Sequence, residues 1–357
     1  MPVFESHNRI PQFTRYLEII FIILILLYFG KSLFVPLLFG LLIAFISYPI
    51  CKWLERRRFP RSIAIAFVML LLIILFSILI SILGYELNVF LRDIPLVADK
   101  LNAYSPGIQT WIENHLGIDS ASQSDWLEKI ILDIRNGLSG TLKSIFTATI
   151  STLFMLVIIP IYASLFLYHR GVFVKFLESI VGESYRDRMH NILWESIQTY
   201  SQFVKGTFFV YLIVGALNSA GLLMLGIRHA ILYGMLTAFM TIIPYIGIII
   251  SASMPVAIAL ITKNSLWYPV GVILIFTLVQ YLEANVIFPR VVGVQLNLST
   301  WATLIAIFAG TILWGVAGMI LFIPSLGILK IISDQVDDFK SINILLNRHE
   351  GYKSSRS

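Results

Sequence analysis

Between residues 280 and 293 the chain carries Gln280, Glu283, Asn285, Pro289, Arg290 and Gly293, starting inside an apolar run, 264–288, whose only charge is Glu283. Gln280 and Glu283 are three residues apart and share a helix face. Glu283 and Arg290 are seven apart, about 10 Å along a regular helix, which is long for a direct ion pair. A carboxylate at membrane depth costs about 2.5–3.5 kcal/mol on insertion scales, so Glu283 must face protein, water or a cation. Two readings follow: a group on a polar pathway, or a carboxylate that caps or pairs with a neighbouring helix end near the interface. A second string, Thr241-Ile242-Ile243-Pro244-Tyr245-Ile246-Gly247, is followed by Pro255. Each proline removes a backbone donor and frees the carbonyl four residues earlier. Such a carbonyl can bind a solute hydroxyl or a cation; the alternative is a kink that helps helices pack.

Other chemistries find no support. There is no G-x-x-x-x-G-K-[ST] phosphate loop, so the chain has no nucleotide-driven pump of its own. His7, His115, His169, His190, His229 and His349 lie far apart, with no H-x-x-x-H pair. No G-x-S-x-G elbow exists, and the single cysteine, Cys51, reads as a reduced structural thiol. The expectation is a protein that is not an enzyme and needs no cofactor or metal.

The elements that hold these strings follow from composition. Of 357 residues, 58% are hydrophobic and 13% charged, against about 25% charged in a soluble domain, and mean hydropathy is +0.85. That excludes a soluble enzyme, a disordered chain and nucleic-acid binding as the main role. A bilayer core needs about 20 apolar helical residues. Single spans are expected at residues 16–30, 32–51, 62–85, 144–169, 206–227 and 264–288. The first could be a signal peptide, but it lacks a small-x-small exit. Residues 229–262 and 291–329 are too long for single spans and are interrupted, by Pro244, Gly247 and Pro255 and by Gly310, Gly315, Gly318 and Pro324. Irregular backbone at membrane depth is tolerated only where protein or a watery cavity covers it. The fold class is therefore all-α, a polytopic membrane protein of about eight membrane helices with broken or re-entrant segments in its C-terminal third.

The stretch 52–61 sets Lys52, Arg56, Arg57, Arg58 and Arg61 against Glu55 alone, which marks it as cytoplasmic. Residues 86–143 hold eight acids and five bases, as suits an external segment, and an amphipathic helix is expected at 126–138. The organisation reads as 1–85, three membrane helices with the basic loop; 86–143, an external helical insert; 144–205, a fourth span and a cytoplasmic amphipathic stretch; 206–329, a transport region; and 330–357, a cytoplasmic tail. With both termini cytoplasmic, the crossings are even in number. Either residues 229–262 cross once as a broken helix, giving eight, or 229–262 and 291–329 are hairpins, giving six. The two models put Lys263 and Arg290 on opposite sides, and both stay open at this point.

The strings Ile243-Pro244-Tyr245-Ile246-Gly247 with Pro255, and Gln280-x-x-Glu283-x-Asn285-x-x-x-Pro289-x-x-x-Gly293, resemble the signature of the autoinducer-2 exporter family, the PerM-type bacterial permeases. The likeness covers most of the chain. It implies a bacterial inner-membrane transporter with eight membrane helices, homo-oligomeric assembly, and export of autoinducer-2 or sodium/proton antiport. The lead expectation is a permease exporting a small polar solute by alternating access. Gln280, Asn285 and carbonyls near Pro244 would bind the solute and Glu283 would carry a proton. Sodium/proton exchange at Glu283 is the second expectation, and a scaffold or assembly role through the insert and residues 171–205 the third. Expected partners are the solute or a monovalent cation and proton, membrane lipid, and further copies of the chain.

Overall fold

A computed structural model describes residues 9–116, 155–242, 246–263, 265–292, 296–336 and 339–347. The helices are α1 (Arg9–Phe29), α2 (Lys31–Arg56), α3 (Arg61–Leu116), α4 (Met155–Tyr168), α5 (Arg170–Val181), α6 (Arg186–Met224), α7 (Ala230–Met240), α8 (Ile246–Thr262), α9 (Trp267–Leu282), α10 (Phe288–Val291), α11 (Thr300–Trp314), α12 (Val316–Gln335) and α13 (Lys340–Leu346). Among the described residues the only extended pairing is an isolated bridge between Leu298 and Asn347. The all-α membrane architecture is thus present. Five helices are long and apolar enough to cross a bilayer, and α4 with α5, bent by 68°, makes a sixth candidate. The apolar windows of the five are only 22–44% buried, which leaves most of their side chains for lipid.

Hydropathy and helix length part company in α3, whose 56 residues extend about 84 Å at the helical rise. The helix runs on past residue 85 into the segment expected to be external. The 126–138 amphipathic pattern lies outside the described residues, as does the tail beyond residue 347.

The chain forms two compact units, Met1–Ile65 with Ile158–Tyr200 and Leu296–Ser357, and Ala66–Val157 with Ser201–Gln295. In the first, Val35, Leu42, Trp314 and Leu321 form the core, and the Trp314 indole N–H donates to the Leu27 carbonyl at 2.8 Å. Helix α11 turns back at Gly315, whose φ of +63° suits glycine. It then runs against α12 so closely that a Cβ on Gly318 would stand 1.9 Å from the Gly310 carbonyl oxygen. Past α12, α13 returns to the start of α11, where Ser299 N–H donates to Leu346 O at 2.8 Å and its hydroxyl to Leu345 O at 2.9 Å.

In the second unit, α7 and α8 form the other hairpin. The 11 residues of α7 reach about 16 Å, half of a bilayer core of about 30 Å. Leu225 packs on Gly271, and a Cβ on Gly226 would lie 3.2 Å from Lys263 Nζ. The chain entering α7 and the chain leaving α8 therefore meet at one end of the unit, as the hairpin alternative requires. Leu222, Ile227, Tyr233, Met254, Ile258, Val272 and Phe276 fill the space between α6, the hairpin and α9.

Candidate functional site

Glu283 ends the regular part of α9, and the five residues Glu283–Ile287 form a π-helical turn before α10. The cause is local. Pro289 has no N–H to give to the Asn285 carbonyl, and in a regular helix its ring would crowd that carbonyl. The widened turn avoids this, and the Phe288 N–H bonds to the Glu283 carbonyl instead. Wide turns of this kind inside α-helices recur where side chains must be re-aimed for function.

The turn aims Glu283 inward. The residue is 6% exposed, and its Oε2 is buried without a hydrogen-bond partner. Gln280, one turn earlier, is half-buried with Oε1 in the same state. In the same unit Val210 and Val214 of α6, Ala238 of α7, Val279 of α9 and Val292 form an apolar cluster, with Tyr211 and Ile287 against it. Tyr211 lies within electrostatic reach of Glu283. Gly206 lets α6 approach, since a Cβ there would be 3.1 Å from Val292 Cα.

The remaining residues of the string point elsewhere. Asn285 is exposed, and its amide donates to the Tyr281 carbonyl at 2.9 Å. Arg290 is exposed and donates to the Val286 carbonyl at 3.4 Å, consistent with a span too long for pairing with Glu283. Pro289 is exposed as well. In the hairpin, Pro255 is fully buried inside α8. Gly247 lies directly against the Met240 carbonyl, the group that Pro244 is expected to free; a Cβ on Gly247 would stand 1.7 Å from that oxygen. Glycine is required there, and the carbonyl is covered by it. Pro244, Tyr245 and Gly293 lie outside the described residues.

Three polar residues of α6 were not singled out from the sequence. Thr207, Tyr211 and Asn218 fall at four- and seven-residue steps, one face of a helix. Thr207 Oγ1 and Asn218 Oδ1 are buried without partners, and Asn218 is 1% exposed. The signal that could have found them is this period within the apolar stretch 206–227. Nearby hydroxyls, by contrast, are satisfied within their own helices: Ser219 by Gly215 O, Thr237 by Tyr233 O and Ser251 by Gly247 O. The described part of the unit thus separates ordinary buried hydroxyls from four oxygens, on Thr207, Asn218, Gln280 and Glu283, that have nothing to bond.

Helices long and apolar enough to cross a membrane make a membrane protein of this chain, and comparison with known proteins gives its family. The model of the AI-2E family of transporters matches residues 17–338. The chain belongs to this family. The AI-2 transport protein TqsA of Escherichia coli K12 is 25% identical over 338 residues, covering 93% of this chain and 94% of TqsA. YrrI of Bacillus subtilis 168, provisionally named a transport protein, is 24% identical over 311 residues, covering 84% and 86%. An AI-2E membership agrees with the resemblance read from the Pro244 and Glu283 strings and makes the chain a multi-pass membrane transporter.

Proposed function

We propose that the chain is a permease that exports a small polar solute by alternating access, with Gln280 and Glu283 on the solute's path between α6, α7 and α9. The observation that carries this reading is the buried Glu283 carboxylate oxygen without a partner; Gln280, Thr207 and Asn218 of the same unit also hold unbonded side-chain oxygens. Leaving such groups unpaired costs about 1–3 kcal/mol each, and a polar solute or water entering between the helices would supply the missing bonds. The name of TqsA, an AI-2 transport protein, supports autoinducer-2 as the solute. The basic 52–61 stretch supports cytoplasmic termini in a bacterial inner membrane. The test is efflux of labelled autoinducer-2 from everted and right-side-out vesicles. Glu283→Gln, which keeps the shape and removes the charge, should reduce flux at least tenfold with the protein still folded; unchanged flux removes Glu283 from the path.

One observation favours a second reading. All four unbonded atoms are oxygens, the ligand type of a hard monovalent cation, so exchange of sodium for a proton at Glu283 also fits. Sodium-dependent proton release from everted vesicles, absent in Glu283→Gln, distinguishes it.

A further inference from the structure

The first compact unit gathers cations at the corner where α2 ends, α3 begins and α4 meets α5. Arg61, the first residue of α3, donates from Nη2 to the Leu167 carbonyl and stands 5.6 Å above the Tyr168 ring. Arg170, the first residue of α5, donates to Glu55 Oε2 at 2.7 Å and lies 5.3 Å from the centre of the Tyr48 ring. Lys52 Nζ sits 5.6 Å from the Tyr48 ring and 5.9 Å from that of Trp194. Among the described residues Glu55 is the only carboxylate bonded to any of the three. Glu178 of α5 is engaged by Arg186 and His190, and Glu195 of α6 by Gln335.

Three cations against one carboxylate leave the corner electropositive, and the geometry leaves its donors unused. Arg61 Nε and Arg170 Nη1 are buried with no acceptor. Glu55 Oε1 is buried with no donor, so a fitting ligand offers an anion to the guanidinium groups and a hydroxyl to the carboxylate. The rings fix the depth of the corner, because tyrosine and tryptophan favour the level of lipid headgroups.

Helix α5 identifies the rest of the ligand. It leaves α4 at 68°, has no buried residue, and exposes Val172, Phe173, Phe176 and Ile180 within one arc of about 100°. An amphipathic helix of this kind lies in the plane of the interface with its apolar face among acyl chains. Its first residue is the Arg170 of the cationic corner.

We infer that this corner binds one anionic phospholipid with a hydroxyl-bearing headgroup. The phosphodiester accepts from Arg61, Arg170 and Lys52, a headgroup hydroxyl donates to Glu55, and the acyl chains lie along the exposed face of α5. The site is independent of the solute path. It ties the α4–α5 bend to the charge of the membrane.

The test uses the full-length protein in neutral detergent, titrated with phosphatidylglycerol, phosphatidylcholine or inorganic phosphate. The readouts are lipid retained per chain by native mass spectrometry and the thermal midpoint. Phosphatidylglycerol should be retained and should raise the midpoint, and the other two should do neither. Lys52→Gln should weaken retention about fivefold, matching about 1 kcal/mol per basic residue near an anionic surface. Lys52 makes ring contacts rather than an ion pair, so this variant keeps the Glu55–Arg170 bond and its folding. Arg61→Gln should abolish retention, and the Lys52 variant remains decisive if Arg61→Gln does not fold. Equal retention of phosphatidylcholine, or retention unchanged in Lys52→Gln, overturns the site. A midpoint raised as far by inorganic phosphate overturns its assignment to lipid.

Discussion

Replacing Glu283 by leucine separates a carboxylate kept for transport from one kept for structure, because the two readings predict opposite signs. The side chain is 6% exposed and its Oε2 has no partner; Val279, one turn earlier on α9, belongs to an apolar cluster with Val210 and Val214. An unsatisfied buried polar group costs about 1–3 kcal/mol, and an apolar group of similar shape removes that cost. Glu283→Leu should therefore stabilise the protein by about 1–3 kcal/mol. At about 2–4 °C per kcal/mol for a large domain, the thermal midpoint should rise by several degrees. The assay is tryptophan fluorescence during heating of the purified protein in neutral detergent, with solute flux measured on the same variant in vesicles. Flux should collapse while stability rises, as expected where a function-bearing group is held at the expense of stability. A loss of about 3–5 kcal/mol, the usual result of breaking a buried ion pair, would refute the reasoning and return Glu283 to the role of a helix-end partner.

Gly318→Ala should lower the midpoint by the equivalent of about 1–3 kcal/mol, since its Cβ would stand 1.9 Å from Gly310 O. Gly84→Ala, with nothing within 4 Å of the new methyl, should instead gain about 0.5–1 kcal/mol from helix propensity, and equal midpoints for the two would contradict the close crossing. Ser299→Ala removes the α11 cap, in which its Oγ accepts from Ala302 N–H, and the tie to Leu345; a loss of about 1 kcal/mol is expected, read as earlier proteolysis of the C-terminal segment. The hydrogen bond from His190, and then the charge of Arg186, hold the Glu178 carboxyl, on interfacial α5, below its ordinary value of 4.5. A lowered carboxyl contributes stability that is full above the ordinary value and is lost as the pH falls below it. The midpoint advantage of wild type over Glu178→Gln should therefore be present at pH 7 and shrink below pH 4.5; an advantage that grows on acidification contradicts this.

Hydropathy made the membrane class legible because apolar runs of about 20 residues have few other uses, and it located Glu283 because one charge in such a run is conspicuous. It also marked the two interrupted segments, since each exceeds one crossing and carries glycine or proline. It could not choose between broken crossing and hairpin. That choice rests on contacts between residues distant in sequence, such as Leu225 with Gly271 and Gly226 with Lys263. The end of helix α3 was hidden for another reason. Charge density rises after residue 85, and Pro95, Pro106 and Gly107 read as stops, yet the helix continues through them to Leu116, so lipid preference changes while the backbone does not.

Asn285 and Glu283 show why composition around a site does not give its geometry. Both lie within the π-helical turn, two residues apart, yet one is exposed on its own helix and the other is buried. The sequence supplies Pro289, and proline chemistry supplies a reason for the turn to widen; only the folded backbone decides which polar side chain the wider turn sends inward. On α6, Thr207 and Asn218 also lack partners. If Glu283, Thr207 and Asn218 face one path, single polar-to-apolar changes at Thr207 or Asn218 should lower solute flux without lowering the thermal midpoint. Flux changes confined to Glu283 variants would restrict the path to α9 and leave the α6 oxygens as a separate feature.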